Sequence, residues 1–292
     1  DAGAVARLAL PLLLIVIPLV CLQLRLLDRL PVSPAVFGET HLLDAGPASF
    51  AGSLWCLVVL GVTLLVPVGT LFAYSLPLRT YAAVWAESSD HLLNTLLTAG
   101  GGALFTLLLA LAYGWGARGR RLAGLDLLLT LPYALPGSLI GVALIQLLNQ
   151  PEPNPLGLVY GSLGALIWAY AALFFPFAYK MLQPAWGQLD RALLDEGALA
   201  GAGGWSQFRT VAWPVLRPYL AAAGALVALL ASREMDATAL IRVPDGDTIA
   251  FRVQDYLHFA PGPDVAALCV ILVVLGAAIF TPLAAWAWRS LS

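Results

Sequence analysis

Runs of about twenty apolar residues recur along the sequence, and no other feature limits the fold so sharply. They fall at roughly 5–24, 53–75, 92–115, 123–148, 158–182, 218–240 and 265–288. A run of that length crosses the hydrocarbon of a bilayer as one α-helix. Composition points the same way: 60% of the residues are hydrophobic, 11% are charged, and the mean hydropathy is +0.85. A chain this apolar has too little polar surface to face water on all sides, which excludes an ordinary cytosolic enzyme. It is also far from the low hydrophobicity and high charge of disorder. The predicted fold class is all-α: a polytopic membrane helical bundle whose outer surface faces lipid.

The formal net charge of −2 supplies no basic field, so no nucleic-acid partner is expected. Cys21, Cys56 and Cys269 sit inside apolar runs, make no metal spacing and read as small lipid-facing or packing residues. The first residue is Asp1, not Met, so the chain is expected to be processed or a fragment of a longer one. The run at 5–24 has no clear cleavage site and reads as a retained helix. The stretch 25–51, with Pro31, Pro34, Gly38, Gly46 and Pro47, breaks the composition and reads as a linker. It separates one leading helix from a block of six. The expected organisation is thus 1–51, the last helix of a preceding unit plus linker, and 52–292, a six-helix domain.

Within the 123–148 run, Pro132 and Pro136 predict a kink or break near the middle. Such breaks occur along transport pathways and also where helices merely pack. Gly100, Gly101 and Gly102 predict close helix packing. Arg118, Arg120, Arg121, Lys180, Arg191, Arg209, Arg217 and Arg289 fall on one side of the alternating spans, with Arg25 and Arg29. By the positive-inside rule that side is cytoplasmic, which puts the C-terminus inside.

The long loop inside the six-helix block is 183–217. Two short helices are expected there, 189–200 and 205–212, separated by Gly201, Gly203 and Gly204, with Pro214 and Pro218 restarting the next span. Leu193, Ala200, Phe208, Val211 and Trp213 give the hairpin an apolar surface, and Asp195 and Glu196 lie near its centre. Such a hairpin either floats in the interface or fits a groove on a partner.

The order Asp195-Glu196-Gly197, three residues, Gly201-Ala202, then Val211, one residue and Trp213-Pro214 resembles the EAA loop of binding-protein-dependent ABC transporter permeases. That family's pattern is Glu-Ala-Ala, three residues, Gly, nine residues, Ile, one residue, Leu-Pro. The glycine and the proline are in register. Asp195 stands for Glu, Glu196 and Gly197 for the alanines, Val211 for Ile and Trp213 for Leu. Leu131–Gly137 is similar to the family's Pro-Gly stretch, and 232–240 with 247–253 resembles segments of its ferric-iron branch. The likeness covers roughly 52–288, and a leading helix with a linker resembles the C-terminal half of a fused two-half permease.

The resemblance implies an ABC importer type I permease fold and a division of labour. Asp195, Glu196, Gly197, Gly201, Ala202, Val211 and Pro214 would couple to cytoplasmic ATPase subunits. ATP would be used by those subunits and no cofactor held by this chain, which has no GxxxxGK[ST] motif. A periplasmic solute-binding protein would deliver the solute, and a second permease half, fused or separate, would complete the pore in a bacterial inner membrane. Iron heads the expected solutes; sulfate, molybdate, thiamine and polyamine importers share the loop.

Residue by residue, a plainer reading stands beside each role. Asp195 and Glu196 are either partner contacts or solvated charges. Gly201 is a close-approach or positive-φ position and equally a helix C-cap. Pro132, Pro136, Glu234, Asp236 and Thr238 would line the translocation path or its outer gate; alternatively the sixth span ends early and the two acids are interfacial. Tyr133, Gln146 and Asn149 line a path or make internal helix contacts. The segment 242–264 reads as strand-like and turn-like pieces, forming an outer loop or a short helix. His41, His91 and His258 are scattered, so no metal site is expected. An ion-gradient transporter is the competing class, for which Asp126 is the one acid well inside the early spans; an intramembrane enzyme lacks any HExxH or clustered His/Asp.

Overall fold

A computed structural model describes residue 18 and residues 47–117, 123–151, 153–259 and 262–291. The expected helix at 5–24 and most of the linker lie outside the described residues. Every described element is helical. They are α1 (Pro47–Tyr74), α2 (Arg79–Gly116), α3 (Ala123–Thr130), a 3-10 turn (Leu131–Ala134), α4 (Gly137–Leu148), α5 (Leu163–Gln188), α6 (Arg191–Leu199), α7 (Gly204–Gln207), a π turn (Phe208–Ala212), α8 (Trp213–Ser232), α9 (Asp236–Leu240), α10 (Ile249–Phe259) and α11 (Pro263–Leu291). Among the described residues, five stretches are long and apolar enough to cross a membrane: Phe50–Tyr74, Arg79–Gly116, Leu163–Gln188, Gly204–Ser232 and Pro263–Leu283.

The core is a three-helix packing of α2, α5 and α8. Small residues on α2 make it possible. A Cβ on Gly102 would lie 2.9 Å from the Tyr170 side chain, and one on Gly114 would lie 2.2 Å from Trp186. Between helices in lipid, where apolar burial gives little drive, such close backbone approach and its dispersion contacts hold the pair together. The hydroxyls of Thr95, Thr98 and Thr106, buried on α2, donate to the carbonyls of His91, Asn94 and Gly102 one turn back, so these three hydroxyls are satisfied within the helix. By contrast α1 exposes nearly its whole apolar length and packs chiefly on α11, as a lipid-facing helix would.

The predicted break in the 123–148 run is present. Leu135 is extended (φ −91°, ψ 131°), the conformation that a following proline imposes, and α4 starts immediately after Pro136. Other boundaries differ from expectation. The expected span 92–115 is a 38-residue helix beginning at Arg79. Its polar stretch Glu87–His91 looked like loop, but His91 and Asn94 reach across to the 245–247 backbone, with Asn94 Nδ2 2.8 Å from the Asp245 carbonyl. Thr95 Oγ1 accepts the Ile249 N–H at 2.9 Å and so starts α10, the short helix that was one of the two forms expected for 242–264. The span 158–182 is shifted to 163–188, and the span 218–240 ends at Ser232.

Candidate functional site

The 183–217 loop folds as an elbow. Asp190 caps α6, its Oδ1 accepting the Ala192 N–H at 2.8 Å. At the other end, Gly201 N–H donates to the Ala198 carbonyl at 3.0 Å and Ala202 N–H to the Gly197 carbonyl at 2.9 Å. Those two bonds, with Gly201 at φ +81°, make a Schellman stop, in which a residue with a Cβ is strained. Both readings of Gly201 therefore rest on one backbone: it is a helix stop and a positive-φ position. No atom lies within 4 Å of where its Cβ would be, so the elbow faces open space.

Gln207 joins the two arms. Its Nε2 donates to the Ala202 carbonyl at 3.1 Å, and its side chain lies 3.6 Å from where a Cβ on Gly197 would sit. A Cβ at 197 would therefore sit in ordinary van der Waals contact with Gln207. Sequence reading overlooked Gln207; its place one turn into the second arm, six residues after a helix-stopping glycine, was the available signal.

The second arm is not a separate helix, contrary to expectation. It runs without interruption from Gly204 through the π turn into α8. Pro214 offers no N–H and would crowd the carbonyl four residues back. The π turn relieves this: Trp213 N–H bonds the Phe208 carbonyl, five residues back. The arm is thus a rigid extension of a spanning helix. Ala212 is buried at its root, Val211 is half-buried and Pro214 exposed.

The elbow presents Asp195 and Glu196 exposed, with no side-chain hydrogen bond or ion pair among the described residues. Leu193 and Leu199 are exposed beside them, Leu199 at 89%. Ala202 is half-buried. A charged and apolar surface on a rigid arm is able to seat in a complementary cleft and transmit force to α5 and α8.

A second group of expected residues also comes together. Gly137 faces Glu234 and Asp236: a Cβ on it would lie 2.7 Å from Glu234 Oε1; Pro136 before it is exposed. Glu234 is half-buried and its Oε1 accepts the Ala237 N–H at 3.0 Å, which starts α9. Asp236 is exposed. Thr238 is buried, and its hydroxyl lies 2.8 Å from the Tyr170 hydroxyl on α5. Gly141 lets α4 lie against Ala237 and Leu240. So the broken span and the end of α8 meet through two short helices. The early end of the span is as the plainer reading had it, but Glu234 is a structural cap rather than a loose interfacial acid. Pro132, in the 3-10 turn, is half-buried; the Tyr133 ring beside it packs tilted against Phe177, with centroids 4.5 Å apart. Gln146 and Asn149 are exposed.

Asp126 on α3 is 6% exposed, and the Tyr179 hydroxyl on α5 donates to it. Among the described residues, His91 and His258 bond only backbone carbonyls, and no three metal-ligating side chains gather.

No protein-family model matches the chain. The chain is 30% identical over 178 residues to the "Fe(3+)-transport system permease protein FbpB 2" of Haemophilus influenzae, covering 60% of this chain and 34% of that protein. It is 27% identical over 204 residues to a protein of Salmonella paratyphi A named as a 2-aminoethylphosphonate transport system permease, PhnV (67% and 72%). It is 28% identical over 167 residues to the thiamine transport system permease protein ThiP of Escherichia coli (56% and 30%). The matched region thus spans about a third of the iron and thiamine relatives. With its all-helical architecture and several stretches long and apolar enough to cross a membrane, the chain is similar to proteins named as transport system permeases.

Proposed function

We propose that this chain is a permease subunit of a binding-protein-dependent ABC importer, coupled to cytoplasmic ATPase subunits through the elbow at 191–214. The observation that carries the reading is the rigid, glycine-stopped elbow, with exposed Asp195, Glu196 and Leu199 on an arm continuous with α8. Closure of two ATPase subunits on ATP would push such arms together and switch the pore between inward-open and outward-open. Gly197, Gly201 and Ala202 shape the elbow; Val211 and Pro214 root it in the bundle. ATP is bound by the partner, not by this chain.

The solute is proposed to be ferric iron. The likeness of 232–253 to the iron branch and the iron-transport relative support this; relatives named for thiamine and 2-aminoethylphosphonate keep other small solutes as outcomes of a substrate screen. A periplasmic binding protein delivers it. The path runs past the junction of Pro132, Pro136, Glu234, Asp236 and Thr238, and a second permease half, fused or separate, completes it. The membrane is the bacterial inner membrane, with the C-terminus cytoplasmic.

The test is reconstitution with the ATPase encoded beside it. Asp195→Arg is expected to abolish ATP-dependent uptake and co-purification while the membrane chain stays folded. Uptake that persists without the ATPase and follows a proton or sodium gradient would overturn the reading in favour of a secondary transporter, with Asp126 as its first ionisable candidate.

A further inference from the structure

An apolar groove opens beside the root of the elbow, lined by Leu111, Ala112 and Trp115 of α2 and by Gly204, Trp205 and Phe208 of the second arm. Its rings are ordered: Phe208 stacks on Trp205 at 5.6 Å and meets Trp115 edge-on at 5.4 Å. Yet Trp205 is 74% exposed. Leu104, Leu108 and Leu109, further down α2, are exposed as well, so the groove continues onto a lipid-facing surface.

Its depth in the membrane follows from helix length. The 20 residues of α8 rise about 30 Å, which already fills the hydrocarbon. Of the 29-residue stretch Gly204–Ser232, α8 alone is long enough to cross, which leaves the nine residues Gly204 to Ala212 over for the headgroup level. Trp115, packed against Phe208, marks the same level at the end of α2. This is where Trp and Tyr side chains are favoured, apolar body in the acyl region and polar edge in the headgroups.

Charge identifies the occupant. Arg209 follows Trp205 by four residues and is exposed. A groove that is apolar inside, with the exposed Arg209 next to its Trp205–Phe208 wall, fits an anionic phospholipid, one acyl chain against the rings and the phosphate near Arg209. The geometry points to a specific anionic-lipid site in the Leu111–Trp115/Gly204–Phe208 groove, holding the root of the elbow at the membrane surface. This inference requires only that the chain spans a membrane; it stands whether or not the importer reading does.

The test uses the full chain in lipid nanodiscs containing dibrominated phosphatidylglycerol or dibrominated phosphatidylcholine. The chain has nine Trp, so quenching is read as the difference between wild type and Trp205→Phe, which keeps the ring stack on Phe208. Stronger quenching of the Trp205 component by the anionic lipid is expected. Arg209→Gln is expected to weaken the phosphatidylglycerol preference about fivefold, the effect of one cation near a headgroup. Circular dichroism and elution volume check that both variants fold. Equal quenching by the two lipids, or no Trp205 component, would overturn the proposal. Loss of the Trp205 quench when ATPase subunits are added would also overturn it, by making the partner the occupant.

Discussion

Replacing Gly201 by three different residues separates the shape of the elbow from what docks on it. The residue sits at φ +81°, and a Cβ there meets nothing within 4 Å. Gly201→Ala therefore costs only the left-handed penalty of a residue with a Cβ, about 1–2 kcal/mol. Gly201→Asn, whose side chain tolerates this region, costs less. The penalty falls on an exposed stop held by two backbone bonds, so it opens the elbow locally rather than unfolding the bundle. Since about 1.4 kcal/mol is a factor of ten, hydrogen exchange at the Gly201 and Ala202 amides is expected to quicken roughly five- to thirtyfold in Gly201→Ala. The rise in Gly201→Asn should be smaller, with no change in the thermal midpoint of the whole chain. Gly201→Trp adds the same backbone strain and a large side chain in open space. It is expected to leave the isolated chain as stable as Gly201→Ala but to lose ATPase co-purification far more severely. If Asn exchanges as fast as Ala, backbone conformation is not what the glycine supplies. If Trp and Ala lose the partner equally, the open space at Gly201 is not a docking surface.

Three further outcomes follow from the packing. Gly114→Val is expected to lower the thermal midpoint severely, because Trp186 lies 2.2 Å from the added Cβ and cannot retreat from the bundle core; a matching loss in the exposed Gly116→Val would refute that cause. Tyr179→Phe is expected to destabilise by about 1–3 kcal/mol in a denaturation assay, since it removes the hydroxyl that donates to buried Asp126; Asp126→Asn should be milder, and additive effects in the double variant would show that the two side chains are not coupled. Gln207→Ala is expected to leave the thermal midpoint unchanged yet speed exchange at the elbow and reduce ATP-driven uptake, and unaltered uptake would remove Gln207 from the coupling apparatus.

Much of the architecture was legible in the one-dimensional pattern, because lipid imposes a single requirement on every span: a long apolar helix with its backbone bonds satisfied within itself. The break at Pro132–Pro136 and the stop at Gly201 were legible for the same kind of reason, since a missing N–H and a missing Cβ act locally wherever they occur. Less legible were features whose cause lies far along the chain. Arg79–His91 is helix because His91, Asn94 and Thr95 find partners about 150 residues away around Asp245–Ile249. The second arm of the elbow is continuous with α8 because a π turn absorbs Pro214, a choice no local propensity announces. Glu234 is a cap rather than a free acid because Gly137, nearly a hundred residues earlier, leaves it room. Sequence alone determined that the chain is a helical membrane bundle with a glycine-stopped elbow, since those depend on solvent and on single residues. Tertiary structure alone decided which polar groups face one another and how stiffly the elbow is joined to the bundle, since those depend on distances between segments that covalent order leaves open.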